Sequence, residues 1–185
     1  EGTRRARLDG SASVSVTDAN VVLEGKMPKV DGSWLVSARR TYYDLVASRI
    51  TDQEFPRFSD VQAKGVWELA PGRRLSLFAL RSRQAAALTI DETDARGEFN
   101  DDTNNDLVSL RFDSVLGRSG QSHTIVSYSN STSSFGVDAA FDNTSQRSNA
   151  PDDEGVDVAN VKFDRTLDLQ DVSLRQEVSW ATGAH

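Results

Sequence analysis

The chain has 185 residues and a formal net charge of −7, from 28 acidic and 21 basic side chains. This length fits one domain or part of one, and the negative charge argues against nucleic-acid binding because there is no positive field to collect phosphates. The chain has no cysteine, which excludes disulfide frameworks and thiolate zinc sites, and its two histidines, His123 and His185, are too far apart to indicate a histidine-rich metal site.

The first predicted element is a β-hairpin. Apolar or small residues occupy even positions over residues 6–16 and odd positions over 19–25. Side chains alternate between the two faces of a sheet with period two, so the change of phase at residues 17–18 indicates a tight hairpin or a bulge. We expect the hairpin. Similar alternation in residues 61–69, 108–112 and 172–180 predicts an all-β chain of antiparallel strands.

The connections between the predicted strands alternate between short and long. Glycine- or proline-containing turns are predicted at residues 28–32, 70–74 and 117–120, and long connections at 45–57, 85–105 and 143–155. Short turns at one end and long loops at the other are typical of an up-and-down transmembrane β-barrel. Residues 33–44, 58–69, 75–84 and 106–116 have the length of spanning strands, whereas 122–141 and 156–182 are longer and indicate either internal bends or a ribbon rising above the membrane.

The three tryptophans are each close to a predicted short turn. Trp34 follows the first turn, Trp67 precedes the second, and Trp180 precedes the glycine at position 183. Indole rings concentrate at the headgroup level of a bilayer. We therefore expect the three rings to form an interface belt at one edge of the sheet, although tryptophans that anchor an ordinary hydrophobic core are the alternative.

Several segments resemble the barrel strands of TonB-dependent outer-membrane receptors. The sequence EGKMP at residues 24–28 followed by GSWLVSARRTYYD at 32–44 is similar to a turn and strand near the start of that barrel. FPRFSDVQAK at 55–64 resembles the return strand, and PGRRLSL at 71–77 resembles the next periplasmic turn. Near the end, RQEVSW at 175–180 and GAH at 183–185 resemble a further strand and turn.

This resemblance implies a barrel of about 22 strands that encloses a plug domain. Residues 1–185 would then be seven or eight early strands of that barrel, with the plug and the remaining strands lying elsewhere in a longer protein. The implied location is the cell outer membrane of a Gram-negative-type bacterium. The implied partners are the plug of the same protein, the TonB complex through a separate N-terminal segment, outer-membrane lipid and a small nutrient ligand.

The polar parity of the strands predicts which charged residues face the lumen. Five are candidates for lumen-facing or plug-contacting positions: Arg39, Lys64, Arg111, Arg175 and Glu177. An inward arginine suits bidentate contact with a plug carboxylate, whereas the alternative for any one of them is a solvated wall of weak ion pairs. Arg40 falls on the lipid-facing parity, so it must lie high enough to reach the outer headgroups.

Acidic residues of the long connections are the weak candidates for substrate contact. They are Asp91, Glu92, Asp94, Asp101, Asp102, Asp152 and Asp153. Their spacing does not match the twelve-residue calcium loop, so we expect solvated loops with no metal site and no cofactor. No G-x-S-x-G elbow is present, and we expect a receptor rather than an enzyme.

Two other classes of protein fit the same alternation. One is a secreted soluble β-sandwich, such as a carbohydrate-binding or adhesin module, in which the apolar faces would form a dry core. The other is a different outer-membrane barrel, for example a passive porin or a surface enzyme. Eight strands could also close a small barrel by themselves.

Overall fold

A computed structural model describes residues 8–42, 56–92, 95–142 and 158–181. These residues form eight strands: β1 Asp9–Val14, β2 Asp18–Lys26, β3 Gly32–Thr41, β4 Arg57–Ala70, β5 Arg73–Glu92, β6 Ala95–Leu116, β7 Gly120–Asp142 and β8 Val158–Trp180. Each strand pairs antiparallel with its neighbour in the chain, and the order in the sheet is the order in the sequence. The predicted all-β, up-and-down arrangement is confirmed. Among these residues there is no helix with the length and apolar character needed to span a bilayer.

The predicted short turns lie at one end of the sheet. Residues 27–31, 71–72 and 117–119 connect consecutive strands there. Gly72 has a φ of 74° and Gly117 a φ of 64°, in the left-handed region that glycine adopts without steric cost. A register shift between Glu68 and Ala70 accompanies the Gly72 turn, as is common where a bulge tightens a hairpin.

The opposite end carries the remaining connections. The hairpin predicted at residues 17–18 is present: the amide of Ser15 donates to the carbonyl of Asp18 at 2.8 Å, and the Ser15 hydroxyl accepts the amides of Thr17 and Asp18. The predicted long connections at 45–57 and 143–155 lie almost entirely outside the described residues. The predicted loop over 85–105 is wrong, because β5 and β6 pair continuously up to Glu92 and Ala95.

Strands β5 to β8 are much longer than a membrane span. They contain 20, 22, 23 and 23 residues, and a 22-residue strand is about 75 Å long at about 3.4 Å per residue. The stretches 75–84 and 106–116 are therefore parts of longer strands, and their assignment as membrane spans stays a prediction. For the longer β7 and β8, the register runs without a shift from Gly120 to Asp142, which agrees with an extended ribbon rather than with internal bends.

The sheet is open and has no conventional core. β1 and β8 each pair with a single neighbour. Within the described ranges, Val66 and Ala139 are the only buried apolar side chains. A soluble domain of this size normally buries a continuous core between two layers. Here the described strands form a single sheet, so their apolar side chains lie on its two faces.

Candidate functional site

The strand register divides the side chains between two faces of the sheet. Directly paired residues on antiparallel strands project to the same face. We name the face that carries Trp34 the belt face, and the face that carries Arg39 the polar face. Three tryptophans lie on the belt face: Trp34, Trp67 and Trp180. Five charged residues lie on the polar face: Arg39, Lys64, Arg111, Arg175 and Glu177. That these faces meet lipid and lumen stays a prediction.

Apolar rows cross the belt face near the short turns. One row of paired residues runs over seven strands and consists of Leu23, Val36, Ala63, Ala79, Val108, Tyr128 and Val172. The adjacent row, toward the short turns, consists of Gly25, Trp34, Gly65, Leu77, Leu110, Val126 and Leu174. We call these rows, with their apolar neighbours on the same face, the apolar belt.

The belt is exposed. Val61 is 53% exposed, Val172 75% and Leu174 73%. Seven strands spaced about 4.8 Å apart make the belt about 29 Å wide, and about 27 Å of each strand belongs to it, so its projected area is roughly 780 Å². The largest apolar patch on a soluble monomer is typically about 300–600 Å². A surface of this size requires an apolar environment or partner.

Three of the polar side chains that interrupt the belt form hydrogen bonds to one another. The hydroxyl of Thr124 donates to Oε1 of Gln176 at 2.5 Å. Nε2 of Gln176 donates to the hydroxyl of Ser122 at 2.8 Å. This cluster reduces the cost of placing three polar side chains on an otherwise apolar surface, because polar groups outside water are stable only when hydrogen-bonded.

Glycines make room for two of the indole rings. A Cβ at Gly65 would lie 2.6 Å from Cη2 of Trp67, and one at Gly120 would lie 2.7 Å from Nε1 of Trp180. Gly65 also lies opposite Trp34. The rings of Trp67 and Trp180 therefore lie over these glycines, near the short turns.

Cross-strand ion pairs line the polar face. Nε of Arg39 lies 2.9 Å from Oδ2 of Asp60, whose side chain is only 11% exposed. The Arg39 guanidinium also lies 4.8 Å from the centre of the Phe58 ring, a cation–π distance. Sequence reasoning found Arg39 but missed Asp60, since the partner depends on the register between β3 and β4.

A second group of charges lies on the polar face near the short turns. One row of paired residues reads Glu68, Arg74, Asp113, His123 and Glu177. Arg74 Nε contacts Glu68 Oε1 at 2.8 Å, and Asp113 Oδ1 lies 2.7 Å from Arg111 Nε and 2.5 Å from His123 Nδ1. Three of the predicted lumen-facing residues belong to this group. Glu177 is part of the row, Arg111 contacts Asp113, and Arg175 lies 3.6 Å from Glu177.

The acidic candidates for substrate contact do not form one site. Asp101 and Asp102 lie within β6 rather than in a loop, on opposite faces, and Asp102 accepts from Arg83 at 2.8 Å on the belt face. Asp91 and Glu92 end β5. Asp94, Asp152 and Asp153 lie outside the described residues. In the described ranges, no three histidine or carboxylate side chains are grouped closely enough to hold a metal ion.

The polarity of the two faces inverts far from the short turns. Beyond the row of Arg81 and Asp106, the belt face becomes polar. The polar face instead acquires an apolar group, which we call the distal patch: Leu88, Ile90, Phe99, Phe135, Val137, Ala139, Val161 and Phe163. The rings of Phe135 and Phe163 are 6.3 Å apart. The sequence signal was the shift of apolar residues from odd positions at 75–79 to even positions at 88–90.

Comparisons with known proteins identify no relative. A scan against protein-family models, a search of curated proteins and a search of solved structures each found no match.

Proposed function

We propose that this chain is part of the wall of an outer-membrane β-barrel, and that the barrel belongs to a TonB-dependent receptor that imports a small nutrient. The observation that carries the proposal is the apolar belt, which crosses seven strands and is backed by a charged, hydrogen-bonded face. Hydrocarbon tails would cover the belt, and the polar face would line the lumen, since barrels of this kind alternate apolar-out and polar-in.

The dimensions of the belt support a membrane span. The belt segments of β4, β6 and β8 cover residues 61–69, 108–116 and 172–180. Each has about nine residues, at the lower limit of the 9–11 residues of a strand tilted at about 45°. The tryptophans near the short turns suit the aromatic girdle of such a band.

The receptor class is supported by the sequence motifs and by their positions. The described parts of the resembling segments fall in order: 24–28 on the end of β2 and the turn after it, 32–41 on β3, 57–64 on β4, and 71–77 on the β4–β5 turn and the start of β5. That order is the one the family resemblance implies. The long ribbon beyond the belt would rise above the outer leaflet and shape the entrance for ligand.

In this proposal the protein binds and releases its ligand without making or breaking covalent bonds. Ligand would engage the outer ribbon and a plug domain of the same protein, and force applied by the TonB complex would rearrange the plug. The ion pairs of the polar face, including Arg39 with Asp60, would keep the wall rigid while the plug moves. Unpaired edges at β1 and β8 would join further strands, because exposed edges otherwise template aggregation.

Membrane fractionation and conductance test the proposal together. The intact protein should sediment with outer membranes and resist extraction at high pH. In planar bilayers, a plugged receptor should show little open-pore conductance, whereas a passive porin would conduct steadily. Recovery of the protein as a stable aqueous monomer would contradict the membrane assignment and support the soluble sandwich.

Uptake by cells tests the energy coupling. Cells that carry the protein should accumulate its nutrient only when the TonB complex is intact, and metal chelates, cobalamin and oligosaccharides are the probes to compare. Equal accumulation with and without TonB would contradict a gated receptor and favour passive passage.

A further inference from the structure

Four arginines lie together on the belt face of β3, β4 and β5, directly beyond the apolar belt on the side away from the short turns. We call Arg40, Arg57, Arg81 and Arg83 the arginine patch. Arg40 pairs with Ser59, which pairs with Arg83. Two strand spacings therefore separate Arg40 from Arg83, or about 10 Å.

The other two arginines complete the patch. Arg57 is two residues from Ser59 on β4, and Arg81 is two residues from Arg83 on β5, so each is about 7 Å along its strand from the central row. A shallow cavity between the strands is lined by Arg40, Arg57, Phe58, Ser59, Arg83 and Ala85. Three of the four arginines thus border one concave surface, and Arg81 lies next to it, two residues from Arg83 on β5.

The positive charge of the patch is only partly neutralised. Arg83 contacts Asp102 at 2.8 Å and Arg81 contacts Asp106 at 3.6 Å. Across residues 8–42, 56–92, 95–142 and 158–181, Arg40 and Arg57 have no carboxylate partner. Four cations against two anions leave a local formal charge of about +2 in a chain whose net charge is −7.

The patch adjoins exposed apolar surface. Ala38 precedes Arg40 on the same face of β3, and its pairing partner Val61 is 53% exposed. One step further, Val36 is 40% exposed. A molecule that carries an anionic head and hydrocarbon chains would satisfy both surfaces at once.

We propose that the arginine patch binds the phosphate groups of a phosphorylated outer-leaflet glycolipid whose acyl chains lie on the apolar belt. This inference rests on the proposed membrane orientation of the belt, but not on transport. Guanidinium groups suit phosphate because they form paired, charge-assisted hydrogen bonds. A free phosphate ion would make no contact with the apolar belt. Only a phosphorylated lipid can contact the arginine patch and the belt together.

Binding of purified lipids to the intact protein in detergent micelles tests this inference. The probes are lipid A with two phosphates, dephosphorylated lipid A, phosphatidylcholine and inorganic phosphate. The test variant is Arg40→Gln with Arg57→Gln, which removes the two unpaired cations. The control is Arg73→Gln, a cation on the same face at the opposite border of the belt.

The expected result is a loss of at least tenfold in affinity for lipid A in the double variant and no change in the Arg73 control. Dephosphorylated lipid A and phosphatidylcholine should bind the wild-type protein at least tenfold more weakly than lipid A, and millimolar inorganic phosphate should not displace it. Lipid A affinity within twofold of wild type in the double variant would overturn the inference. So would equal binding of the dephosphorylated form, or displacement by inorganic phosphate.

Flotation with phosphatidylcholine vesicles separates this inference from the proposed function. Wild type and both variants should float, since the belt is intact in each. Flotation without discrimination among the lipids would overturn the patch and leave the barrel standing. Failure of the wild-type protein to float would overturn the barrel and the patch together.

Discussion

Replacing Leu110 with arginine places a charge on the belt face of β6. The belt segment of this strand, residues 108–116, is about 27 Å long, and at a 45° tilt it covers about 19 Å along the bilayer normal. Leu110 then lies about 5 Å inside the border at Val108 and a similar distance from the middle at Phe112. An arginine costs about 2–4 kcal/mol at the middle of a bilayer and about 0–1 near its surface, so we expect a loss of about 2 kcal/mol.

The matched control is Ser109→Arg on the same strand. Ser109 lies on the polar face opposite Ser127, so its arginine would meet water and should cost below about 0.5 kcal/mol. Arginine at Val108, Leu110 and Phe112 should show a cost that rises in that order with depth.

Urea unfolding of the protein in phospholipid vesicles measures these differences. A cost of about 2 kcal/mol corresponds to a change of about 30-fold in the folding equilibrium. The reasoning is refuted if Leu110→Arg costs no more than Ser109→Arg, or if the cost does not depend on depth.

Three further substitutions test the polar face and the turns, each read as a shift in the denaturation midpoint in micelles. Asp60→Ala should cost about 1–2 kcal/mol because it leaves the half-exposed Arg39 guanidinium without its carboxylate partner. Arg39→Ala added to Asp60→Ala should cost little more, and full additivity of the two costs would contradict the ion pair. Gly65→Val should cost about 1–3 kcal/mol because the new side chain meets the Trp67 ring, and the clash should disappear when Trp67 is replaced by alanine; a cost that persists there would contradict this reason. Gly72→Ala should cost about 1–2 kcal/mol because its φ of 74° is left-handed, and an unchanged midpoint would show that the turn relaxes without strain.

The strands and short turns could be predicted from the sequence because their signals are local. Period-two alternation fixes which side of a strand each residue occupies, and this assigned Trp67 and Lys64 to opposite faces correctly. The Pro71-Gly72 pair marks a reversal through its own backbone preferences. Neither inference needs knowledge of a neighbouring strand.

The long strands could not be predicted because their polarity changes face. Over residues 85–105 apolar residues are few and change parity, a pattern that favours a loop when the pairing of the strands is unknown. Backbone hydrogen bonds nevertheless continue the ladder through Leu88 and Phe99, since pairing does not require an apolar face. The distal patch is the structural consequence of that change.

The cross-strand partners were also beyond sequence reasoning. Asp60 lies opposite Arg39, and Arg57 comes close to Arg83, only because the β3–β4 and β4–β5 registers bring them together. A register slip of one residue would send each side chain to the other face. The ion pairs and the arginine patch therefore emerge from the register and not from any motif.

Spin labels at Ala63 and Lys64, adjacent residues on β4, test the central claim most directly. In phospholipid bilayers, the label at Ala63 should be accessible to oxygen and shielded from a water-soluble nickel chelate, while the label at Lys64 should show the reverse preference. If the Ala63 label is shielded from both reagents, that side of the sheet is packed against protein, and the membrane account is contradicted.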